Sequence, residues 1–226
     1  MSEILEKLKS RGYWRILVRP AEFVATRVQS LLGLGEIVRK SALELRGWDF
    51  PHITLHTNLD IGLDWVGQEV DWSEHVESWR LYQSGQFAFY GSILDDWQDQ
   101  SIWESLKPDW RAGQYLSVFD TIARFTAAYE FASRISLTEA GGEMISIHVT
   151  IVGLRGRELR IDHPRRSGFS YPRTAAIPEF PFKVSVPRAQ LVAEARELAL
   201  VNANELFTRF NWTPGVEFLR GMQNEF

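Results

Sequence analysis

Between Trp79 and Tyr90 the chain reads WRLYQSGQFAFY, two apolar-bearing runs on either side of a Ser84-Gly85 pair. Glycine reaches the left-handed backbone region that tight hairpins use, so the spacing predicts two antiparallel strands folded over that pair. Side chains alternate along a strand, which places Leu81 and Gln83 on one face and Arg80 and Tyr82 on the other. We take this hairpin as the structural centre of the chain.

The flanking segments have readable periods. Alternation of Trp14, Ile16 and Val18 in YWRILVR, closed by Pro20, predicts a strand with one buried face. Ser30 stands where it can cap a helix over LLGLGEIVRKSAL, which two glycines weaken. Residues 42–46 form a second short strand leading into GWDFPHI, where Pro51 holds Phe50 extended and excludes a helix. Trp65–Trp72 alternates as a strand would. Seven tryptophans lie within the 63 residues from Trp48 to Trp110, enough wide aromatic plates to build a core.

Residues 95–114, punctuated by Pro108 and Gly113, read as a partly ordered connection. The clearest helix follows: Val118, Ile122, Phe125, Tyr129 and Ala132 form an apolar stripe, with Asp120-Arg124 and Glu130-Arg134 as pairs one turn apart. Ile145, Ile147, Val149 and Ile151 alternate as a strand, and Arg155-Gly156-Arg157 predicts a hairpin return into ELRI. PFKVSV reads as a last strand, Pro187 opens an alanine-rich helix, and Thr213-Pro214 signals a short terminal one. The expectation is one α+β domain over residues 1–226: a mixed, largely antiparallel sheet with a central hairpin and two main helices packed on it.

Composition narrows the function classes. The 226 residues contain no cysteine, which excludes disulfides, zinc-thiolate sites, iron-sulfur clusters and a cysteine nucleophile, and fits a cytoplasmic location. No run approaches the roughly 20 apolar residues of a membrane helix, so no membrane partner is expected. The net charge of -4 is unevenly spread: ten acids and one base between Asp60 and Glu104, but six arginines against two acids between Arg155 and Arg173. Such blocks are either solvated faces or surfaces for a partner of opposite sign.

No phosphate-cradling glycine motif, nucleophile elbow or metal-binding helix motif is present, so no cofactor and no metal is expected. His52 and His56 share a face of an extended segment but lie about 13 Å apart, too far for one ion. Three sets of residues remain. Asp49 could orient His52 as a general base, although Arg46 pairing with Asp49 across a turn is the simpler reading. Arg46, Trp48, Asp49 and His52 with Trp79, Tyr82, Gln83 and Gln86 could form one polar-aromatic pocket, whose amides and indoles suit recognition of a neutral polar ligand. Arg155, Arg157, Arg165 and Arg166, interleaved with Phe169 and Tyr171, have the make-up of a surface for phosphates or single-stranded nucleic acid, or of a loop docking on the chain's own acidic segment.

Four stretches, WRILVRP at 14–20, LRGWDFPHI at 45–53, WRLYQSGQF at 79–87 and YEFASRISL at 129–137, resemble the region that follows the AlbA-like Schlafen domain in many bacterial proteins. Those proteins are described as DNA-binding or ATP-binding regulators, some in contexts of defence against phage. The resemblance covers roughly residues 13–162. It implies an accessory or sensory domain in a regulatory or anti-phage assembly, and transfers no catalytic residues. The expectation is a non-enzymatic domain that binds a partner protein or a second copy of itself, a small ligand, or nucleic acid. The alternative is a hydrolase using Asp49 and His52.

Overall fold

The computed structural model describes residues 2–54, 58–101, 109–162 and 165–226. Its framework is a seven-stranded sheet, antiparallel throughout. The strands are β1 (Tyr13–Pro20), β4 (Asp60–Ile61), β5 (Trp65–Trp72), β6 (His75–Tyr82), β7 (Phe87–Ser92), β9 (Met144–Val152) and β11 (Glu179–Pro187), in spatial order β11-β9-β1-β7-β6-β5-β4. The hairpin of β6 and β7 sits near the middle, as the sequence predicts. Gly85 turns it at φ +83°, and a Cβ there would lie 2.3 Å from the Ala140 carbonyl oxygen, so the position needs glycine both for its backbone and for space.

Period-two alternation sends Trp14, Ile16, Val18, Trp79, Leu81, Phe87 and Phe89 to one face, where all are buried. Helix α3 (Val118–Ser136) lies on that face, with Phe125 edge-on to Trp14 at 5.4 Å and Phe131 against Phe87 at 4.4 Å. Ser117 caps α3 by accepting from the Asp120 amide at 3.0 Å. Helix α4 (Arg188–Thr208) packs on α3, where Asn202 donates to the buried Tyr129 hydroxyl, and the short α5 (Val216–Gln223) closes over both. Helix α2 (Leu31–Ser41) is capped by Ser30, whose Oγ accepts from the Gly33 amide at 3.1 Å. The seven-residue α1 (Glu3–Lys9) instead covers one end of the opposite face, placing Leu8 against Val76 and Trp97 in a separate small cluster.

Two short pairs complete the fold. β2 (Leu43–Leu45) and β3 (Trp48–Phe50) form an antiparallel hairpin, whereas β8 (Tyr115–Ser117) and β10 (Glu158–Arg160) pair in parallel. The second pair corrects the expected β9–β10 hairpin. β9 is flanked by β1 and β11, and the chain after it turns through Gly153 and Gly156, both at positive φ. The turn sends Arg157 inward, and the Glu158 amide then bonds the Gln114 carbonyl at 2.8 Å. Burial of Arg157 dictates this course. Its guanidinium, in a residue only 1 % exposed, makes a forked pair with the buried Asp96, at 2.6 Å for one arm, and donates to the Gly153 and Tyr115 carbonyls.

The segment expected to be partly ordered is therefore a structural anchor in its described part, with Asp95, Asp96 and Trp97 buried around the 3-10 turns Leu94–Asp96 and Gln98–Gln100. Among the described residues no helix is long and apolar enough to cross a membrane.

Candidate functional site

Arg46 and Gly47 join β2 to β3 as a two-residue loop, both at positive φ (+57° and +77°), the backbone of a type I′ hairpin turn. This turn throws Arg46 across to α3, where it pairs with Asp120 and lies over the Phe119 ring. Two expected pairings are thereby corrected. Arg46 does not pair with Asp49, and Asp120 does not pair with Arg124 one turn along its own helix. Because Arg46 takes Asp120, Arg124 makes no hydrogen bond or ion pair with any described residue.

Arg124 is half-buried, its guanidinium over the rings of Phe89 at 5.2 Å and Phe50 at 5.8 Å. It faces a cleft of about 240 Å³ between the β2–β3 hairpin, α3 and the start of the acidic segment. Trp14, Trp48 and Phe50 give this cleft aromatic walls, and Asp49, Glu74, Asp95 and Asp120 add acids to its lining. Burial lowers the Arg124 pKa from its ordinary value, and the charge of Glu77 opposes that shift from behind the cleft.

Beneath Trp48 lies a buried polar layer. The Glu77 carboxylate accepts from the His52 amide at 3.1 Å and the Trp48 indole at 3.4 Å, and burial pushes its pKa up to about 7. Trp48 stacks on His75 at 3.7 Å and on His52 at 4.2 Å. Burial, then the charge of Arg124, takes His75 down to about 4, so the imidazole is neutral at pH 7. Asp95, also in the lining, is pushed up to about 6 by burial and by Asp162, while its Oδ2 accepts from the Ser117 amide at 2.9 Å.

The two stretches singled out from sequence do meet, but through different residues. The Trp79 indole donates to the His52 carbonyl at 2.8 Å, and Phe50 packs on Phe87 and Phe89. Arg46, Trp48 and Asp49 line the cleft; Trp79 is core beneath it. Gln83 is spent elsewhere, its amide donating to the carbonyls of Val28 and Gln29, and Gln86 lies across the turn from it, its carbonyl accepting from the Tyr82 amide. Tyr82 points to the opposite sheet face. His52 does not line the cleft; its Nδ1 is buried without a hydrogen-bond partner, 3.7 Å from Asp49. His56 lies outside the described residues.

The basic loop is likewise dispersed. Arg157 is interior, a correction to its expected place on an anion-binding surface, because a guanidinium this deep requires Asp96 as counter-charge. Arg166 pairs with Glu225 at 2.7 Å, Arg165 also has a partner, and Arg155 is exposed in its turn. Sequence reasoning missed Arg124, His75, Glu77 and Asp95 as members of one site. Only the position of Arg124 beside an apolar helical stripe hinted at it.

Compared with known proteins, the chain matches no family model, no curated protein and no solved structure.

Proposed function

We propose that the chain is a non-enzymatic sensory or accessory domain whose cleft binds a small organic anion through Arg124. The observation that carries this reading is the half-buried Arg124 guanidinium, without a hydrogen-bond or ion-pair partner among the described residues, in an aromatic-walled cleft, whereas the fully buried Arg157 is paired with Asp96. A desolvated cation without a counter-ion is costly, and a ligand carboxylate or phosphate would relieve that cost with charge-assisted hydrogen bonds. The acids in the lining favour a ligand that also carries donors, such as an amino or hydroxy acid. A volume of about 240 Å³ holds about eight water molecules at ~30 Å³ each, which fits amino-acid size.

The cleft hydroxyls are engaged within the fold. Ser92 donates to the Glu74 carbonyl at 2.7 Å and Thr121 to the Ser117 carbonyl at 2.6 Å, so neither faces a base; Ser117 does donate to the Asp162 carboxylate at 2.7 Å, but its oxygen is held as the cap of α3, accepting from the Asp120 amide at 3.0 Å. A hydrolase working through Asp49 and His52 gains little from an imidazole stacked on Trp48 and outside the cleft lining. The resemblance to Schlafen-associated regions is what suggests a regulatory or defence assembly as the setting of such a sensor.

The test is a thermal-shift and calorimetric screen of amino-acid-sized carboxylates and phosphates. A ligand at 100 times its Kd should stabilise the wild type by about 2.7 kcal/mol. Arg124→Met should abolish the shift while keeping the unliganded melting temperature. Equal shifts in wild type and variant would remove the proposal, and turnover lost in Asp49→Asn and His52→Gln would favour the hydrolase.

A further inference from the structure

The face of the sheet turned away from α3 carries a second feature. Residues paired across an antiparallel sheet share a face, so the register sets out its rows. One row runs Lys183, His148, Leu17, Ala88, Arg80, Gly67 and Asp60 from β11 to β4. The next runs Pro181, Thr150, Arg15, Tyr90, Ser78 and Glu69. On the other side lie Ser185, Ser146 and Arg19, with Tyr82 and Trp65 paired at the far end. Small side chains thus make a shallow floor, ringed by Arg15, Arg19, Lys183 and Arg80, with Tyr82 and Trp65 half-buried beside them and Tyr90 at its edge, packed against the Leu8 cluster that α1 covers.

None of Arg15, Arg19, Arg80 and Lys183 forms an ion pair with a described residue, and the acids in these rows, Glu69 and Asp60, both lie at the β5–β4 end. Elsewhere the arginines are commonly matched: Arg11 with Asp99, Arg46 with Asp120, Arg188 with Glu143, Arg220 with Glu197. Four unmatched cations gathered on one face of a chain of net charge -4 form a local field opposite to that of the whole. At its centre the His148 Nε2 is buried with no hydrogen-bond partner. Burial, then the charges of Lys183, Arg19 and Arg15, holds that imidazole below its ordinary value. Arg80 lies over the Trp65 ring at 4.0 Å, a guanidinium held flat on the sheet.

We infer that this open face binds single-stranded nucleic acid, its phosphates on Arg15, Arg19, Lys183 and Arg80 and its bases against the aromatic side chains. Lys183 and Arg80 stand four strand spacings apart, about 19 Å, a span for about four nucleotides, the short end of single-strand site sizes. The exposed large apolar side chains, among them Phe23, Leu32 and Leu63, lie off these rows, so the face offers little to a lipid interior. This surface is separate from the Arg124 cleft, and each stands without the other.

The experiment is fluorescence anisotropy of the full chain with a labelled mixed-sequence 12-mer, single-stranded and as duplex. Four phosphate contacts predict a slope of about -2.8 in log K against log salt, which is about a fifty-fold loss of affinity from 50 to 200 mM. The triple variant Arg15→Gln, Arg19→Gln and Lys183→Gln should keep its melting temperature, since all three side chains are exposed, and lower the slope to about -0.7. Arg155→Gln, in its exposed turn, should bind like wild type. Equal affinity in wild type and triple variant, tighter binding of duplex, or displacement of the 12-mer by polyglutamate or by phosphatidylserine vesicles at matched charge would overturn the inference.

Discussion

Asp96 accepts from Arg157 through both oxygens and from the amides of Gly12 and Gly113 at 2.9 and 2.8 Å, so a buried charge pair has its bonding capacity filled. Removing one partner strands the other, and Arg157→Met should cost about 3–5 kcal/mol, read as a lower denaturant midpoint at constant m-value. Glu77 behaves differently because burial raises its pKa to about 7 from 4.5. The folded state holds that proton more tightly than the unfolded one. Its contribution is therefore fullest below about pH 4.5 and is lost as pH rises through 7. The stability of wild type relative to Glu77→Gln should fall by about 1.4 kcal/mol per pH unit across that window and level off above it. A difference constant from pH 4 to 8 would contradict the assignment. His75, displaced to about 4, tilts the wild-type curve the other way between about pH 4 and 6.5, and the comparison with the Gln variant cancels that tilt.

At the level of elements, alternation and helical period located β1, β5, the central hairpin, α3 and β9 with little error, because those signals depend on burial of one face alone. The partner of β10 was not legible. Pairing of a three-residue strand carries no periodic signal, and here it follows from where Arg157 must go. The hairpin tip offers a sharper test of element packing. Gly85→Ala adds a methyl 2.3 Å from the Ala140 carbonyl at a φ of +83°. It should destabilise by about 1–3 kcal/mol in a chemical-denaturation series. A neutral effect would mean that the loop before β9 does not seat on the tip.

Across the whole molecule, the main core joins the sheet to α2, α3, α4 and α5, while α1 reaches the sheet through the separate Leu8, Val76 and Trp97 cluster. Two ion pairs tie it and its exit, Lys7 to Asp71 and Arg11 to Asp99, each at 2.7 Å and partly exposed, and such pairs contribute little. Amide hydrogen exchange should therefore show α1 opening locally with little dependence on denaturant. The central amides of β1, β7 and α3 should exchange only through global unfolding. Matching protection in α1 and β7 would show one cooperative unit instead.

The sequence by itself determined the α+β class, the antiparallel hairpin at the centre and the aromatic character of the Trp48 region, since each follows from periods of two or near 3.6 residues read within a short window. It also marked Arg46, Trp48 and Asp49 as neighbours of whatever site exists. Tertiary structure alone decided which charges meet. Arg46 reaches Asp120 across 74 residues and Arg157 reaches Asp96 across 61, and no local pattern encodes such matches. By taking Asp120, the Arg-Gly turn before Trp48 leaves Arg124 without a partner among the described residues, and the ligand site is proposed there for that reason.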